Sequence, residues 1–84
     1  MGNAESNFGG NIERPLDALS EARGKKVVVE LKDKTTFVGT LTTFDIHINT
    51  VLDDASELKD GQISRKLGRV LIRGDNITII SPES

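Results

Sequence analysis

His47 is the only histidine in the 84-residue chain, and Asn49 follows it two positions later in residues 44–49, "FDIHIN". An imidazole offers a flat ring for stacking, and a carboxamide carries one donor and one acceptor side by side. On a strand, residues two apart share a face. A second polar cluster, Arg73-Gly74-Asp75, interrupts the next strongly apolar run. Arg73 supplies a planar guanidinium that can stack or reach a phosphate. Gly74 permits a tight or positive-φ turn, and Asp75 can accept from nearby backbone or from Arg73. A ring, an amide and a guanidinium together suit one unstacked base, the form in which single-stranded RNA is usually read. Asp45 adds a control. A carboxylate only accepts, so beside Asn49 it would hold the amide NH2 towards itself and leave Oδ1 free as an acceptor.

Plainer readings stand beside these. A lone strand histidine is commonly surface decoration, and Asn49 could simply pair at a strand edge. "RGDN" is an ordinary hairpin turn, and its first three letters also match an integrin-binding tripeptide. Arg65, Lys66 and Arg69 of "SRKLGR" could be a solvated face balancing Asp53, Asp54, Glu57 and Asp60. A catalytic reading would take His47 as base with Asp45 or Asp75 orienting it, but it lacks a nucleophile and a complete metal set.

The elements that must hold these residues follow from periodicity. Residues 1–13 are polar and rich in Gly and Asn, which predicts a flexible tail ahead of one domain at 14–84. "RPLDALSEAR" predicts a helix at about 15–23, with Pro15 in its first turn, a stripe of Leu16, Ala18, Leu19 and Ala22, and Gly24 as its stop. From Lys26 the period becomes two, which predicts strands at about 26–32, 36–43, 46–54, 62–73 and 76–81, with an acidic turn at "SELKDG". Val27, Val29 and Leu31 form one inward set, Phe37, Gly39 and Leu41 a second, and Ile46, Ile48 and Leu52 a third, with His47 and Asn49 facing the other way. The mid-strand glycines, Gly39 and Gly68, imply strong curvature. The expected fold is all-β with a short N-terminal helix, a strongly bent five-stranded antiparallel sheet.

Such a sheet has edges. "VLI" at 70–72 and "ITII" at 77–80 are apolar on both faces, and an exposed apolar edge invites pairing. Because the two edges differ, pairing the fourth strand of one copy with the fifth of the next runs head to tail and can close a ring. A domain this small often needs such a staple. With no cysteine, neither a disulfide nor a thiolate metal site is available, so no metal or cofactor is expected. No apolar run is long enough to span a bilayer, and "MGNAESNFGG" lacks the layout of a secretory leader, which together predict a cytoplasmic protein. "MGNAES" does fit the loose myristoylation pattern through Gly2 and Ser6. A net charge of −2 and pI near 5.3 argue against a surface coated in phosphate contacts, though not against base-dominated binding.

The motifs resemble those of the Sm-like (LSm) family, archaeal type. "VVVELKDKTTFVGTLTTFDIHINTVLDDA" is similar to the first Sm motif, "LGRVLIRGDNITII" to the second, and "RPLDAL" to the helix start common in archaeal members, over about residues 14–81. The resemblance implies a small Sm-type barrel, homo-oligomeric rings that are usually heptamers, and a uracil pocket at the inner rim of the pore. There the base would stack between His47 and Arg73 and bond Asn49, with Asp45, Gly74 and Asp75 in support. It implies a non-enzymatic partner of U-rich single-stranded RNA, acting as chaperone or ribonucleoprotein scaffold. The alternative is a structural ring for protein partners with little RNA binding of its own.

Overall fold

The computed structural model describes residues 14–83; the expected tail at 1–13 and the Gly2/Ser6 pattern lie outside them. Helix α1 spans Pro15–Ala22. The Arg14 N–H donates to Asp17 Oδ2 at 3.0 Å and Pro15 needs no partner for its nitrogen, so the first turn has few orphan donors. Gly24, at φ +79°, turns the chain out of the helix, and its N–H donates to the Leu41 carbonyl.

Five strands follow: β1 Lys26–Leu31, β2 Thr36–Phe44, β3 Thr50–Lys59, β4 Gln62–Ile72 and β5 Ile77–Pro82. They form one antiparallel sheet in the order β4-β3-β2-β1-β5. Alternation places Val27, Val29, Leu41 and Leu52 wholly inside, where they meet Ala55, Ile72 and the helix residues Leu19 and Ala22. A single turn or two of helix is marginal alone; Leu19 and Ala22 are what hold α1 to the sheet.

The sheet bends along a line crossing three strands. Between β2 and β3 the register jumps from Val38↔Ser56 to Thr40↔Asp53, and between β3 and β4 from Leu52↔Val70 to Ala55↔Gly68. Asp54 and Gly68 take positive φ at these bulges. A Cβ on Gly39 would lie 2.9 Å from the Asp53 carbonyl oxygen, so the closeness of β3 at the bend requires glycine there. The sheet is bent but not closed: β4 and β5 do not pair with each other and remain its two edges. Each edge carries a large exposed apolar side chain, Leu71 on β4 and Ile79 on β5.

Two expectations need correction. The third strand begins at Thr50, not 46, and runs on to Lys59. The Asp45 carboxylate takes the N–H groups of His47 and Asn49, and Ile48 adopts φ 65°, so residues 45–49 form a loop despite their alternating pattern. Ile46, expected inside, is 74% exposed. At the far end, "SELKDG" is mostly strand; the turn is only Asp60-Gly61, both at positive φ, the geometry of a two-residue hairpin.

Candidate nucleic-acid interface

The loop between β2 and β3 is closed by its own backbone. Asp45 N–H donates to the Asn49 carbonyl at 3.1 Å, and Ile48 N–H to the Asp45 carbonyl at 3.0 Å. The Asp45 side chain fills the turn: Oδ1 accepts from His47 N–H (2.9 Å) and Asn49 N–H (3.1 Å), and Oδ2 accepts from Asn49 Nδ2 (3.0 Å). The Asn49 amide, and after it the two backbone N–H groups, hold the Asp45 carboxyl below its ordinary 3.8. The sign follows from linkage: the contribution of this carboxylate to the folded loop is complete above the ordinary value and is lost as pH falls through the lowered one.

The second loop arrives through the sheet. Thr50 pairs with Ile72 across β3 and β4, so Arg73 leaves β4 beside Asn49. A short 3₁₀ turn, Gly74–Asn76, follows. Gly74 N–H donates to Asn49 Oδ1 at 2.8 Å, joining loops 25 residues apart in sequence. A Cβ at Gly74 would overlap the His47 carbonyl oxygen and lie 2.7 Å from the Ile48 carbonyl carbon. The need for glycine here is therefore close approach, not the positive φ that the sequence allowed.

His47, Asn49, Arg73, Gly74 and Asp75 line one open pocket of about 410 Å³. Asp45 stands behind it as the orienting group. Arg73 Nη2 lies 3.3 Å from Asp75 Oδ2, with both side chains well exposed, so this pair steers the guanidinium and adds little stability. The arginines of β4 are engaged elsewhere: Arg65 with Glu57 at 2.8 Å and Arg69 with Asp53 at 2.6 Å. The pocket offers an imidazole, a guanidinium and an amide edge, the groups that stack on a base and read it. Its lining contains no hydroxyl, thiol or amine nucleophile, and among the described residues no group of three or more His, Cys, Asp or Glu could hold a metal ion.

Asn49 is pinned twice in the same sense. Asp45 takes one NH2 proton and Gly74 N–H occupies one lone pair of Oδ1. The remaining proton and lone pair leave the amide one donor and one acceptor for a ligand, a pattern that would suit the N3–H and carbonyl edge of a uracil. The Asp45 contact expected from the sequence is present, and the Gly74 N–H bonds the same amide. Asp45→Asn should therefore lower affinity for a U-tract while preserving its preference over a C-tract, because the Gly74 N–H still opposes the flip. Titrations of both tracts at one salt concentration check this, and a collapsed U-to-C ratio would show that Asp45 alone sets the amide.

The sequence profile of the LSM domain family matches residues 17–82. An Sm-like snRNP protein of Methanococcoides burtonii is 54% identical over 69 residues, which cover 82% of this chain and 96% of that protein. Among solved structures, a Pyrococcus abyssii Sm protein in complex with a uridine heptamer superposes with TM-score 0.82 at 45% identity, covering 84% of this chain and all of that one. A heptameric archaeal Sm protein superposes with TM-score 0.77 at 40% identity, covering 81% of this chain and 98% of that one.

Proposed function

Because the chain belongs to the LSM domain family, we propose that it assembles head to tail into a homo-oligomeric ring, of seven subunits as in the similar archaeal Sm protein, and binds U-rich single-stranded RNA at the inner rim of the pore. The observation that carries the RNA reading is the pocket itself: His47 and Arg73 on its walls, with the Asn49 amide held by Asp45 and by the Gly74 N–H. The complex of the similar Pyrococcus protein with a uridine heptamer supports the choice of base. One base would stack between His47 and Arg73 and bond Asn49 through its edge. One pocket per subunit lets weak single-site contacts add along a tract. The protein then acts as an RNA chaperone or ribonucleoprotein scaffold and carries out no catalytic step. No helix among the described residues is long and apolar enough to cross a membrane.

Arg73→Ala should cost about 1–3 kcal/mol per site in U-tract binding, the worth of a base stack. Arg65→Ala should leave binding nearly unchanged and instead lower thermal stability, because it strips the partner from Glu57, which is 7% exposed. Fluorescence anisotropy with oligo-U and a thermal melt separate the two. Equal losses of affinity would point to diffuse electrostatics. An intact ring that ignores oligo-U altogether would favour the protein-scaffold alternative.

A further inference from the structure

Among the described residues Lys34, Ile48, Asp54 and Asp60 are the non-glycines at positive φ, and Ile48, at φ 65°, is the β-branched one. A β-branched side chain in that region is a genuine outlier, and such strain persists only where the surroundings over-determine it. Here they do so on several sides. The Ile48 N–H is held by the Asp45 carbonyl, and its own carbonyl accepts from Thr50 Oγ1, whose residue is fully buried. Gly74 passes so close that a Cβ there would lie 2.7 Å from the carbonyl carbon of Ile48. The Ile48 side chain is half-buried against the core and lines a groove on the helix side of the loop, with Pro15, Leu16 and Phe44.

The strained residue thus sits between the two base-reading residues and faces the opposite way. His47 and Asn49 look into the pocket; Ile48 is plugged towards α1. In an extended strand, residues 47 and 49 would share a face with 48 opposed, but Asn49 would lie too far along the chain to reach the Asp45 carboxylate. The left-handed step at 48 folds the chain back so that Asn49 reaches both Asp45 and Gly74. We infer that Ile48 is the positioning residue of the nucleotide pocket: its plug against α1 holds the left-handed step and so pre-organises His47 and Asn49 for the base. The inference rests on the uridine-pocket reading above. Without the plug the loop samples other conformers, and apparent affinity falls in proportion to the competent fraction.

The test compares Ile48→Gly, Ile48→Leu and Ile46→Ala with wild type in the full chain. Glycine accepts the backbone angle but removes the plug; leucine restores an apolar plug of similar volume. Ile46 is the exposed neighbour in the same loop and groove. Ile48→Gly should weaken oligo-U binding by about tenfold per site if a tenth of the loops remain competent, with Ile48→Leu within about threefold of wild type and Ile46→Ala unchanged. Amide hydrogen exchange should quicken at His47 and Asn49 while Val27 and Val29 stay protected, a split that general destabilisation does not produce. Wild-type-like binding by Ile48→Gly, or equal loss of protection in the core, overturns the inference. Failure of the wild-type protein to bind oligo-U overturns the uridine reading instead.

Discussion

Gly74→Ala is expected to abolish measurable U-tract binding while the five-stranded sheet still forms. The added Cβ meets backbone, the His47 carbonyl and the carbonyl carbon of Ile48, and neither can give way as a flexible side chain would. The two loops must separate, and separation breaks the bond from Gly74 N–H to Asn49 Oδ1. One methyl then disturbs His47, Asn49 and Arg73 together. Overpacking of this kind costs about 1–3 kcal/mol in the fold, which in a domain of this size lowers the melting midpoint by roughly 4–8 °C per kcal/mol. The effect on RNA is larger, because every subunit carries the change and losses at successive sites multiply along one tract. Anisotropy with oligo-U and a circular-dichroism melt measure both. Affinity within about threefold of wild type would show that the loops need not touch for the pocket to work.

Ile80→Pro is expected to convert the ring to folded single subunits, whereas Ile79→Pro is expected to unfold the chain. Glu83 N–H donates to the Lys26 carbonyl across β5 and β1. Counting back in twos through Val28↔Ser81 and Glu30↔Ile79, the N–H groups of residues 81 and 79 also point at β1. The N–H of Ile80 points away, to the free edge of the sheet. Proline at 80 removes a donor that a neighbouring subunit's β4 would use, and proline is tolerated on an edge with that orientation. Proline at 79 removes a bond within the protomer. Native mass spectrometry and far-UV circular dichroism distinguish the outcomes. An Ile80→Pro protein that still runs as a ring would place the seam elsewhere than the edge of β5.

Much of the sheet was legible because its physics is local. The alternation of Val27, Val29, Leu41 and Leu52 names the buried face of β1, β2 and β3, and all four are fully buried. Gly39 and Gly68 mark the bend for the reason expected of mid-strand glycines: close backbone approach at one and a positive-φ bulge at the other. The beginning of β3 differs from its pattern because "IHIN" alternates as a strand does, while three hydrogen bonds accepted by one carboxylate, Asp45, turn it into a loop. The acidic "SELKDG" differs in the opposite sense, a turn-like composition that folds mostly as strand. Its polar residues pair with β4 down to Lys59↔Gln62, and the buried Glu57 is held by Arg65.

The sequence by itself determined the chemistry and the inventory: an imidazole, an amide and a guanidinium, a carboxylate that only accepts, two apolar edges and a two-period pattern over most of the chain. Those properties reside in single residues or in neighbours along the chain. Only the tertiary structure decided how they combine. The pairing of Thr50 with Ile72 brings two loops together, and the approach of Gly74 to His47 and Ile48 explains why that position has no side chain. The left-handed step at Ile48 stands between His47 and Asn49, which line one pocket. No local pattern encodes the pairing of Thr50 with Ile72 or the approach of Gly74, because both depend on the paths of two backbone segments about 25 residues apart, and those paths are set by the sheet as a whole.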